Sequence, residues 1–323
     1  MYRLIDNRVM MTLDKRIEND LKQIYDNEIV PLKEMIASIE EKFKLSEAEK
    51  LSGIFNDGNS DDAVSTRGLP GYFAGKRDAK TVLLMLNPGQ DVTQANKLIK
   101  LFETITKMNY NIDSLEEFIS SYKEGSRNYG EIDKERADNF DLKQAAFLKP
   151  WKGCGVRFPK GFLDDEEKKV DSKSKIALKA KKNVLMQKLS IDLVPYASRE
   201  FKGIKTDRIN DLFPYLKTLF EELFSAKRTY VIFCSAFYKK LFDSYNKENP
   251  GSIVFDKIEI NNKILNKSTS CQAVRIYRYG KKQGPSMKAL IANTFPDKAL
   301  PNAYGKMEKY GEFCYDTFIK SKI

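Results

Sequence analysis

Between Thr12 and about Lys50 the apolar residues Ile17, Leu21 and Ile24, then Leu32, Met35, Ile36, Ile39 and Phe43, return at steps of three and four. That is the period of one face of an α-helix. Pro31 interrupts the stripe, because proline lacks the N–H that a helix interior uses. A cluster of turn formers, Asn56-Asp-Gly-Asn-Ser-Asp-Asp62, and the stretch Arg67-Gly-Leu-Pro-Gly71 follow. They mark a boundary between a helical extension over residues 1–70 and a main domain over 71–323. The stripe fits a contact between two copies of the chain and packing on its own sheet equally well, so the pattern leaves the oligomeric state open.

Beyond the boundary the texture changes to short apolar runs, each followed by a helical pattern. Runs at 81–86, 184–195, 229–235 and 288–293 predict buried strands. Their alternation with helices predicts an α/β fold: a three-layer α/β/α sandwich around a mostly parallel sheet, with the N-terminal helices added. Asn261-Asn262 and a second polar stretch, between Ile258-Glu-Ile260 and residues 271–279, predict a hairpin at the sheet edge. A lysine-rich insertion spans about 160–182, with seven lysines from Lys168 on. It reads as an exposed loop or helix whose Lys168 and Lys169 either contact phosphates or line a solvated face.

The chain has 323 residues, 41% of them hydrophobic and 31% charged, which belongs to a globular protein with a sizeable core. It contains no histidine. That excludes a Ser-His-Asp or Cys-His nucleophile system, a His-ligated catalytic zinc and a histidine proton shuttle. Cys154, Cys234, Cys271 and Cys314 form no C-x-x-C pair, so no cofactor or metal site is announced, and the thiols suit a reducing compartment. No run approaches 18 uncharged apolar residues and the first residues hold no apolar leader segment, so the expectation is a cytoplasmic protein without a membrane partner. Lys and Arg number 56 against 45 Asp and Glu, a net charge of +11, which favours a polyanionic partner such as DNA.

In an open α/β sheet ligands gather beyond the carboxyl ends of the strands, and three predicted strand ends carry unusual residues. The first is Leu86-Asn87-Pro88-Gly89-Gln90-Asp91. There proline fixes one φ, glycine admits a close backbone approach, and Asn87 offers both an acceptor and a donor. The second is Ser190-Ile-Asp192-Leu-Val-Pro195-Tyr196-Ala-Ser198, which sets Asp192 in an apolar run where its carboxyl needs a hydrogen-bond donor. The third is the loop from Asn293 and Thr294 through Lys298 to Leu300 and Asn302.

In this order the three ends resemble the uracil-DNA glycosylase superfamily, in particular its mismatch-specific and single-strand-selective branches. The first motif of that family is a strand ending in Gly-hydrophobic-Asn-Pro-Gly, matched here by Leu84-Met85-Leu86-Asn87-Pro88-Gly89. The resemblance runs from about residue 75 to the C-terminus and implies a DNA glycosylase. Asn87 would position the attacking water, Pro88 and Gly89 would shape the base pocket together with Gln90, and Asp91 would assist or cap the next helix. The second motif would fall on residues 293–302, with Asn293 or Thr294 in place of the family's histidine and Leu300 as the wedge into the duplex. Asp192, with Tyr196 and Ser198 beside it, would read the base, and Lys298, Lys168, Lys169, Lys281 and Lys282 would face DNA.

An ionised Asp192 accepts hydrogen bonds only, so it complements the amino group of cytosine and repels the O4 of uracil. The expectation is therefore excision of a modified cytosine, such as those of phage DNA in a defence setting, leaving an abasic site. Uracil or deaminated-base repair, and a non-catalytic DNA-binding protein on the same fold, are the alternatives. A metal-dependent nuclease would need a carboxylate cluster, and the acidic runs Asp61-Asp62 and Asp164-Asp165-Glu166-Glu167 read as solvated surface.

Overall fold

The computed structural model describes residues 11–30, 71–86, 105, 108–127, 139–163, 174–193, 195, 209–210, 212–264, 268–280, 284–293 and 304–323. Helix α1 (Leu13–Ile24) begins where the apolar stripe begins, with the Thr12 hydroxyl accepting the backbone N–H of Lys15 at 3.3 Å. It continues into a single π-helical turn at Tyr25–Ile29. Leu13, Ile17, Leu21 and Ile29 are buried in one apolar cluster with the sheet residues Val82, Leu84 and Ile191. The described part of the stripe thus packs on its own sheet, and its residues from Leu32 to Phe43 lie outside the described residues.

Seven strands make one sheet: β1 (Phe73–Gly75), β2 (Thr81–Met85), β3 (Leu189–Asp192), β4 (Tyr230–Phe233), β5 (Ile253–Asn261), β6 (Thr269–Tyr277) and β7 (Ser286–Ala292). Their order across the sheet is β1-β3-β2-β4-β7-β6-β5. The centre, β3-β2-β4-β7, is parallel. β1 joins β3, β6 joins β7 and β5 joins β6 in antiparallel fashion. The sheet is therefore mixed, with the expected parallel strands at its centre and antiparallel strands at both edges. The chain between β5 and β6 is too short for the crossover of about a dozen residues that parallel pairing needs, and it closes the expected edge hairpin instead.

Six more helices are described: α2 (Leu115–Arg127), α3 (Asn139–Leu148), α4 (Lys175–Gln187), α5 (Phe213–Phe224), α6 (Phe237–Glu248) and α7 (Tyr304–Lys320). Strand residues alternate between two apolar clusters, as side chains on successive positions point to opposite faces. Val82, Leu84, Val231, Phe233 and Ile291 join α1, α2, α5 and α6. Leu83, Met85, Ile232, Leu290 and Ala292 join α3, α4 and α7.

The expected strand at 184–195 shrinks to Leu189–Asp192. Its first residues belong to α4, whose Ser174 hydroxyl caps the Ala177 N–H at 3.2 Å and whose buried Ala177, Ala180 and Val184 keep helical spacing. A short apolar run such as Val184-Leu-Met cannot be told from a strand by periodicity alone. The same helix carries Lys175, Lys179, Lys181 and Lys182 of the lysine-rich insertion, and Lys181 is buried, so that stretch is not uniformly a solvated face. β1 went unpredicted because it is three residues long. It ends at Gly75, where φ is +95° and a Cβ would lie 2.0 Å from the Lys188 carbonyl.

Candidate functional site

The connections of the parallel strands diverge. From β2 the chain passes to β3 on one side, and from β4 it passes to the β5–β7 segment on the other, so β2 and β4 flank a topological switch point. At such a point the outgoing chains leave a crevice beyond the strand ends. The end of β2 is held firmly on both sides. Its Met85 carbonyl accepts the Leu193 N–H at 3.0 Å and the Tyr238 hydroxyl of α6 at 2.5 Å, and its Leu84 carbonyl accepts the Cys234 N–H at 2.8 Å. Residue 86 then leads into the Asn-Pro-Gly sequence.

Of the residues expected to act, Asp192 and Asn293 are described. Asn87, Pro88, Gly89, Gln90, Asp91, Tyr196, Ser198, Thr294, Lys298, Leu300, Lys168, Lys169, Lys281 and Lys282 lie outside the described residues. Asp192 is the last residue of β3 and pairs with Met85, the last of β2. Asn293 directly follows β7 and extends its ladder, its N–H reaching the Ser270 carbonyl at 3.1 Å. Both stand at the same edge of the sheet. Three strand spacings, about 14 Å, part them, with the ends of β2 and β4 between.

Asn293 is tied down by one side of its amide. Its Nδ2 donates to the Ser270 hydroxyl at 2.7 Å, while its Oδ1 is buried without a hydrogen-bond partner among the described residues. A buried acceptor left unpaired costs free energy that a ligand's donor would recover.

Asp192 belongs to a polar column that sequence reasoning missed. Ser190 and Asp192 pair with Leu83 and Met85, so they point to the face covered by α3, α4 and α7. Lys188, two residues before Ser190, is 1% exposed, and its Nζ donates to the Ser190 hydroxyl at 2.5 Å. Over the same face lie Asp141 of α3 and Lys181 of α4, both buried, with Lys181 Nζ 3.8 Å from the Asp141 carboxylate. The signal in the sequence was the strict alternation Lys188-Leu-Ser190-Ile-Asp192, which sets three polar groups on one side of a strand.

Burial dominates the electrostatics of the column. It pushes Asp192 up to about 8, against the pull of Lys188. It pushes Lys188 down to about 8, against the fields of Asp141, Cys234 and Asp192. Cys234 and Tyr238 are raised by the same burial, so thiol and phenol stay neutral at physiological pH. Asp192 also borders a shallow cleft on the α1 and α5 side, lined by Leu13, Arg16, Tyr72, Thr218 and Glu222, with about 10 Å³ of space, about that of one water.

Among the described residues no three of Cys, Asp and Glu gather closely enough to hold a metal ion, and no helix is long and apolar enough to cross a membrane. Comparison of the chain with protein-family models, with curated proteins and with solved structures finds no match.

Proposed function

We propose that the chain is a DNA N-glycosylase of three-layer α/β/α architecture that acts in the cytoplasm on a pyrimidine flipped out of its strand. The observation that carries this reading is the strand order β3-β2-β4-β7. It puts the end of β2, the strand that precedes Asn87-Pro-Gly in the sequence, at the switch point, with Asp192 one strand away and the Asn293 Oδ1, unpaired among the described residues, two strands away on the other side. The net charge of +11 suits a phosphate backbone. Helices on either face of the alternating strand residues support the three-layer reading.

The reaction such a site supports needs no histidine. Cleavage of the C1′–N bond builds positive charge on the sugar, and the bonding pair leaves with the base. Water held by the Asn87 amide adds its oxygen to C1′, and its proton passes to solvent or to the departing base. Orientation and fixed dipoles supply the catalysis rather than a strong base. Asp192 reads the exocyclic position of the ring: burial raises it to about 8 in the unliganded chain, and an amino group that donates to it draws it to its ionised form, hence a modified cytosine.

The test is release of base without added metal, scored as alkali-labile sites in uracil-containing DNA, ordinary genomic DNA and DNA bearing modified cytosines. Sites should appear in the modified-cytosine DNA and fall at least about 100-fold in Asn87→Ala, with DNA affinity kept within severalfold. Release confined to uracil DNA points to repair, and silence on all three with salt-sensitive binding overturns the enzyme.

A further inference from the structure

We infer that Lys188 is a positioning residue for specificity: from beneath the sheet it decides whether Asp192 meets the ligand as a carboxylate or as a carboxylic acid, and so which pyrimidine edge the site accepts. This rests on the reading of the strand ends as a base pocket. An ionised Asp192 takes an amino group, as in a cytosine, and is repelled by a ring carbonyl. A protonated Asp192 donates to that carbonyl, as in a uracil.

Three observations place Lys188 in control. It shares one face of β3 with Ser190 and Asp192, and its ammonium is anchored within the column by the Ser190 hydroxyl at 2.5 Å. It is buried, so its charge is not screened by water, and an ammonium on a neutral hydroxyl keeps most of its field for nearby anions. Among the described residues the other cation near Asp192 is Arg16, across the shallow cleft, and it is engaged by the Thr218 hydroxyl at 2.7 Å and the Tyr215 ring. Cys234 beyond β4, Tyr238 of α6 and Tyr122 of α2 are neutral at physiological pH, the last pushed up to about 12 by burial. β2 presents Met85, and on the β1 side the Tyr72 carbonyl accepts the Asp192 N–H at 3.3 Å. Asp141 of α3 also draws on Lys188, but it has Lys181 of α4 at 3.8 Å. The direction of the Asp192 shift agrees: burial drives it up, and the Lys188 charge pulls it down.

Two measurements test the inference on the full chain. The first compares unfolding free energies with and without Asp192→Asn from about pH 4 to about pH 10.5, in the parent and in Lys188→Met, Lys188→Arg and Ser190→Ala backgrounds. The pH at which the Asn advantage levels off reports the native Asp192 midpoint. It should rise by about one pH unit or more in Lys188→Met, return in Lys188→Arg, and rise by less in Ser190→Ala. An unchanged midpoint in Lys188→Met, or in Ser190→Ala should the methionine variant not fold, overturns the inference and leaves the glycosylase reading standing.

The second follows base release from modified-cytosine and uracil DNA across the same range. The cytosine-to-uracil ratio should climb about tenfold per pH unit below the Asp192 midpoint, and Lys188→Met should move that climb to higher pH. A ratio flat in pH overturns the inference alone. No release from either DNA by the parent protein overturns the glycosylase reading and the specificity claim with it.

Discussion

Two groups of buried and half-buried charge, at different places on the same sheet, are built on opposite principles. At the amino edge of the parallel strands Arg77 grips Glu222 with two bonds, Nε to Oε1 at 3.0 Å and Nη2 to Oε2 at 2.5 Å, and donates to Asp14 at 2.7 Å. Arg228 joins through the Glu222 and Ala79 carbonyls and lies 3.8 Å from the Glu222 carboxylate, with only its Nε unmatched among the described residues. Cations and anions balance, and hydrogen bonding to Glu222 holds the Arg77 guanidinium firmly charged. The Lys188 column has no such closure. Its ammonium meets a neutral hydroxyl, and the Asp192 carboxyl has no hydrogen-bond donor among the described residues. A closed network fixes structure, here α1 and α5 to the β1–β2 turn. An open one costs stability and leaves groups whose protonation a ligand can exploit.

The largest effect should come from opening the closed network. Glu222→Ala leaves the buried Arg228 without its carboxylate and takes two bonds from Arg77, and should cost about 3–5 kcal/mol in urea unfolding. A loss below about 1 kcal/mol would erase the contrast. Next comes closing the open column. Below about pH 4 Asp192 is protonated in folded and unfolded chains alike, so Asp192→Asn should be neutral there. As pH rises from 4 to 8 only the unfolded chain ionises, because burial keeps the folded carboxyl protonated until about 8, and the parent loses stability. Asp192→Asn should therefore stabilise by about 2 kcal/mol at pH 8, read as the pH dependence of the unfolding midpoint. An Asn variant less stable than the parent at pH 8 would mean that the column is satisfied. The smallest effect should be at the rim of the closed network. Asp14 is 42% exposed while pairing with Arg77 and Lys123, so Asp14→Asn should cost less than about 1 kcal/mol and less still in high salt.

Legibility followed the range of the interactions. β2 and β7 stand close to where their apolar runs predict them, and the β5–β6 hairpin forms about its polar turn, with one irregularity between Phe255 and Ile258. These are local matters of side-chain period and turn chemistry. The start of β3 was misread because Val184 and Leu185 are apolar in helix and strand alike, and the cap at Ser174 with the packing of α4 on α3 decided for helix. Asp192 was visible as an anomaly in an apolar run, whereas its face was not, since a shift of one residue would have turned it over. The pairing of Met85 with Asp192 settled it.

The absence of histidine, the basic balance, the dispersed thiols, the central strands and the edge hairpin could all be read from the order of residues, because each depends on composition or on neighbours a few positions away. The order of strands in the sheet could not be read so, and it is this order that makes the end of β2 a switch point. Nor could the burial of Lys181, within the lysine-rich stretch, and of Lys188 just beyond it. A charge becomes costly, and its proton affinity adjustable, only when distant elements remove its water: here α3, α4 and the far side of the sheet, brought together by contacts that no local pattern encodes.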